Sequence, residues 1–129
     1  MKDRLLSKAL EARDRAIAPY SNFKVGSAIQ TRDGRIIQGC NIENASFGLT
    51  VCAERVALLT ALAAGERSFE AVAVATGVRE PATPCGPCRQ LLWEYCGDIE
   101  VILGNPEGVK KTYRLSELLP HPFSHIPEE

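Results

Sequence analysis

The 129-residue sequence predicts an α/β three-layer sandwich, a mixed sheet of about five strands covered by helices. Two observations carry that expectation. The order of patterns is an amphipathic helix, a hairpin, and then strands alternating with helices. The composition, 45% hydrophobic and 24% charged, is that of an ordinary globular chain. At this length residues 1–129 are expected to form one domain with a substantial core.

Each element has its own signal. Leu5, Leu6, Ala9, Leu10, Ala16 and Ile17 recur at helical spacing, so residues 3–17 read as an amphipathic helix ended by Pro19. Residues 25–31 and 35–41 are short strands flanking Arg32-Asp33-Gly34, and the Asp-Gly pair marks a hairpin. Residues 51–64 are rich in Ala and Leu and read as a second helix closed by Gly65. Residues 69–76 resemble a buried strand. Residues 86–95 should be a third helix that tolerates Pro87 in its first turn. Residues 99–103 and 110–114 complete the sheet, with a short turn at 116–119. The proline-rich tail, 120–129, predicts no regular structure.

Charge narrows the partners. Fifteen basic residues face sixteen acidic ones, a net charge of −1, whereas polyanion binders carry a clustered excess of Lys and Arg. Small neutral substrates fit better than nucleic acid. No stretch approaches the roughly 18 apolar residues that span a bilayer. The beginning, Met1-Lys2-Asp3-Arg4-Leu5-Leu6, does not read as a secretory signal, so a cytoplasmic location is expected. Five cysteines, an odd number, then read as thiols or metal ligands rather than disulfides.

Three of those cysteines carry the chemistry. Cys85 and Cys88 straddle one tight turn in Pro84-Cys85-Gly86-Pro87-Cys88, and both sulfurs can reach one ion. Cys52, in Cys52-Ala53-Glu54, would join them from a neighbouring helix start. Three protein ligands leave the fourth tetrahedral position of Zn²⁺ open, as in catalytic sites. Glu54, two residues from a ligand, can reach water held there and act as base and then acid. Three thiolates leave the ion with a formal charge of −1, which opposes ionising that water. Two helix N-termini and Arg55 would offset the excess by drawing charge off the thiolates.

Cys-Gly-Pro-Cys is also a redox motif, but Pro84 stands where thioredoxins have tryptophan, and that reading leaves Cys52 and Glu54 unexplained. Cys40 and Cys96 stand alone and read as buried apolar residues. His121 and His125, in the tail, read as solvated. A non-catalytic zinc module would want a fourth ligand or a basic face.

Four blocks together resemble the cytidine deaminases, in the short form that assembles as a homotetramer. They are residues 18–28 (APYSNFKVGSA), 39–46 (GCNIENAS), 52–55 (CAER) and 84–90 (PCGPCRQ), and the likeness spans nearly the whole chain. The resemblance implies the cytidine deaminase-like fold, one zinc ion per subunit on Cys52, Cys85 and Cys88, and Glu54 as proton carrier. It implies that Asn41 and Glu43 hold the ribose hydroxyls, that Phe23 packs on the pyrimidine, and that the Ala53 amide meets the base carbonyl. Phe123 resembles an aromatic that a neighbouring subunit places over the site. The implied reaction is hydrolytic deamination of cytidine and 2′-deoxycytidine, in pyrimidine salvage. A blasticidin S deaminase would share the zinc site and differ in the pocket.

Overall fold

The computed structural model describes residues 2–80 and 82–122. In chain order they form α1 (Lys2–Arg13), β1 (Val25–Thr31), β2 (Ile36–Cys40), α2 (Ala53–Ala63), β3 (Phe69–Thr76), α3 (Gly86–Cys96), β4 (Glu100–Gly104), β5 (Lys110–Arg114) and α4 (Leu115–Leu118), with a 3₁₀ turn at Phe47–Leu49. The five strands make one mixed sheet in the order β2-β1-β3-β4-β5. Only β3 and β4 are parallel, and α3 makes the crossover between them, since parallel neighbours cannot be joined by a tight turn. The other neighbours are antiparallel.

Alternation along β3 separates the two sides of the sheet. Ala71, Ala73 and Ala75 pack with Leu5, Leu6 and Ala9 of α1. Val72 and Val74 face the other way, into a cluster with Ala57, Leu58 and Ala61 of α2 and Leu92 of α3. The small side chains lie on the α1 side, where the helix approaches closely. A Cβ at Gly26 would run into the backbone of Ala9 and Arg13, and one at Gly39 into the backbone of Ala53 and Ala57. Gly39 therefore sets how near the first turn of α2 lies to the sheet.

The expected layers and strands are present, and the hairpin turn closes with Gly34 at φ 93° and the Thr31 amide donating to the Arg35 carbonyl. The first helix is shorter than expected. It stops at Arg13, and Ile17 leaves it to exchange backbone bonds with Asn41 and Glu43. Strand pairing there outweighs helical spacing, and Ile17 lies 54% exposed rather than in the core. The last turn is a short helix, α4, whose Ser116 amide and hydroxyl both donate to Asp98. No helix among the described residues is long and apolar enough to cross a membrane.

Candidate metal centre and active site

Cys52 and Cys85 are the residues immediately before α2 and α3, and both have extended backbones with no side-chain capping bond. Their carbonyls accept the first helical bonds, from Val56 and Arg89, while their sulfurs stay available. Cys88 follows one turn into α3 and is fully buried. Two chain segments thus bring three sulfurs together at two helix N-termini. Cys52 Sγ lies 3.7 Å from Cys85 Sγ, and Cys85 Sγ lies 3.1 Å from Cys88 Sγ. A tetrahedral ion with Zn–S of about 2.3 Å sets its sulfurs about 3.8 Å apart. The Cys52–Cys85 pair stands at that spacing, the Cys85–Cys88 pair is tighter, and all three sulfurs lie within 4.8 Å of one another, a donor set suited to zinc. Among the described residues it is the one group able to hold an ion, and it supplies three donors.

The thiols are electrostatically unequal. Hydrogen bonding from Cys88 holds the Cys52 thiol down at about 6, helped by Cys85 and the Arg55 cation. The same contact, with burial, pushes Cys88 up. A lowered thiol beside a raised one is the metal-free form of a site that metal binding would deprotonate. Glu54, in the first turn of α2, is 5% exposed, and burial raises its carboxyl to about 7, with the Cys52 charge adding to the rise. A carboxyl poised near neutrality can both give and take a proton at working pH. Arg55, beside it, is half-buried, and its charge opposes that rise.

A cavity of about 200 Å³ opens onto this cluster, lined by Phe23, Val25, Asn41, Thr50, Cys52, Ala53, Glu54, Val74, Thr76, Ala82, Thr83 and Cys85. The wall away from the sulfurs is largely apolar, which suits a flat heterocycle. Phe23, 40% exposed, stands at the cavity rather than in the core. Asn41 is buried and anchored: its Oδ1 accepts from the Val25 amide at 2.9 Å and its Nδ2 donates to the Phe23 carbonyl at 2.8 Å. It holds the segment bearing the aromatic, and each polar atom keeps one further bonding position. Glu43 is not among the lining residues. Its carboxylate accepts from the amides of Tyr20 and Ser21 and from the Ser21 hydroxyl, and the Ser21 bond lowers its carboxyl below the usual range. Phe123 and His125 lie outside the described residues, and His121 is exposed.

Sequence reasoning missed part of the wall. Val74 and Thr76 alternate onto the same face of β3 as the α2 contacts, a signal available from strand spacing alone. Thr76 Oγ1 is buried with no hydrogen-bond partner among the described residues. Ala82 and Thr83 enter through the β3–α3 connection, which had no pattern to read. Cys40 and Cys96 stay outside the cluster, half-buried rather than fully so; the Cys40 thiol meets the Arg15 carbonyl, and burial pushes the Cys96 thiol up to about 12.

Comparison with known proteins agrees with this geometry. Residues 1–104 match the family described as cytidine and deoxycytidylate deaminase zinc-binding region. A cytidine deaminase of Halalkalibacterium halodurans is 48% identical over 121 residues, which cover 93% of this chain and 92% of that protein. The 1.6 Å crystal structure of cytidine deaminase from Burkholderia pseudomallei superposes with a TM-score of 0.91 at 48% identity, covering 95% of this chain and 99% of that one. A blasticidin-S deaminase of Bacillus cereus is 35% identical over 108 residues, 74% of each chain. With three sulfurs set for zinc, a buried carboxyl beside them and these likenesses over nearly its full length, the chain belongs to the zinc-dependent cytidine and deoxycytidylate deaminase family.

Proposed function

We propose that this protein deaminates cytidine and 2′-deoxycytidine hydrolytically, giving uridine or 2′-deoxyuridine and ammonia in pyrimidine salvage. The observation that carries the reading is Glu54, buried beside the three sulfurs at the floor of a base-sized cavity. Cys52, Cys85 and Cys88 would hold the zinc ion, which when bound supplies a Lewis acid that makes water nucleophilic at neutral pH. Glu54 takes the proton from that water and delivers it to N3 of the base as oxygen adds at C4. It then moves the second proton to the amino nitrogen, which leaves as ammonia. Arg55 and the two helix N-termini draw negative charge from the thiolates.

Phe23 packs on the pyrimidine, the Ala53 amide donates to the base carbonyl, and Asn41 offers its remaining donor and acceptor to the ribose. Glu43 takes the other sugar hydroxyl, turning from or adding to its bonds with Ser21. The whole chain, residues 1–129, acts as one catalytic domain in the cytoplasm, without nucleic acid or membrane partners. It works as a homotetramer with sites at subunit interfaces, where Phe123 of a neighbour closes the cavity. Exposed Ile17 and Ile42 support that assembly, since a backbone bridge sets these two apolar residues beside each other at the surface.

The test is zinc-loaded protein mixed with cytidine, followed by the ultraviolet change to uridine. Turnover is expected. Turnover of blasticidin S alone would move the substrate to that of the Bacillus cereus relative, and no turnover of either would reject the reading.

A further inference from the structure

The connection from β3 to α3 bears Ala82 and Thr83, which face the cavity, and leads directly to Cys85. At its α3 end Arg89 grips it, donating to the Pro84 carbonyl and the Thr83 hydroxyl, both at 2.7 Å. At its β3 end the grip belongs to Asn105, just past β4 and 1% exposed. Asn105 Nδ2 donates to the carbonyls of Val78 at 3.1 Å and Arg79 at 3.0 Å. Its Oδ1 accepts from the amides of Glu107 at 3.1 Å and Val109 at 3.0 Å. Two carbonyls on one side and two amides on the other fix the orientation of the amide group. Only glutamine, one methylene longer, carries the same two donors and two acceptors.

We propose that Asn105 is a positioning residue for nucleoside binding: it ties the β3–α3 connection to the β4–β5 turn and so holds the cavity wall at Ala82 and Thr83. It touches neither substrate nor metal, and it rests on the nucleoside reading given above. Because Arg89 grips the Cys85 end independently, loss of the Asn105 bonds should loosen the wall and leave the sulfurs in place.

Asn105→Asp separates the two halves of the contact. A carboxylate still accepts from Glu107 and Val109 but has nothing to donate to Val78 and Arg79. In the zinc-loaded full-length protein, KM for cytidine should rise about tenfold, the order expected for losing a pair of buried hydrogen bonds, with kcat within about twofold and zinc content unchanged. Amide exchange should quicken at residues 78–80 and 82–83 and stay as in the wild type at 107–109. Asn105→Ala, which introduces no buried charge, should quicken both segments and raise KM alike, and it serves if the aspartate variant does not fold. Unchanged KM with quickened exchange, or exchange unchanged at 78–83, would overturn the proposal. If the wild type itself turned over no cytidine, the nucleoside reading would fail, and the exchange pattern alone would judge the clamp.

Discussion

Glu54 has two properties that pull against each other. The proposed reaction needs a carboxyl beside the sulfurs, and burial there opposes its ionised form. Its folded value is raised from 4.5 to about 7, so as pH climbs through that window the unfolded chain releases the proton first and stability falls. The loss is complete above pH 7 and amounts to roughly 3 kcal/mol in the metal-free protein. Glu54→Gln should therefore stabilise metal-free protein by about that much at pH 8 and by little at pH 4.5, read from urea titrations at both. Thr76 gives a second residue-level expectation. Its buried hydroxyl has no partner among the described residues, so Thr76→Val should leave the melting temperature unchanged or raise it. A fall of several degrees would show that the hydroxyl is bonded in solution. That Glu54 lies beside the sulfurs was legible in the sequence because it stands two residues from Cys52. The anchoring of Asn41 by the Phe23–Val25 backbone was not, because it depends on two segments meeting in space.

At the scale of elements, the site is two helix N-termini brought side by side, each presenting a cysteine at the residue before the helix. What sets their placement is how closely α2 lies on β2, and Gly39 leaves the room. Gly39→Ala should push the first turn of α2 off the sheet. It should cost about 1–3 kcal/mol of stability and weaken zinc retention, measured by thermal unfolding and by metal content after dialysis. A variant with full zinc and wild-type stability would show that the close approach is not needed. Most element positions were readable from periodicity, because β3 alternates onto two helix layers and Asp33-Gly34 marks the turn. The end of α1 was not. Ile17 continues the apolar spacing, but the free strand edge near Asn41 captures its backbone, a competition invisible to local pattern.

At the scale of the molecule, the three sulfurs come together only when the starts of α2 and α3, distant in the chain, are set side by side on one face of the sheet, so zinc should bind the folded chain far more tightly than the unfolded one. Removing it with a chelator should lower the melting temperature by many degrees, and adding zinc back should restore it. An unchanged melting curve would separate the metal from the fold. The layered architecture and the sulfur set were legible because both follow from spacing along the chain. The β3–α3 wall and its clamp at Asn105 were not, because they join residues 26 and 27 positions apart through one side chain.

In the proposed reaction, a zinc ion held by three thiols and a proton moved by Glu54 together deaminate cytidine. The most direct measurement is ammonia release from cytidine by zinc-loaded wild type and Glu54→Ala, with metal content determined on the same samples. Full zinc in both, with turnover reduced by at least about 10²–10⁴-fold in the variant, is the predicted result. Turnover by the variant close to that of the wild type, with zinc in place, would contradict the account.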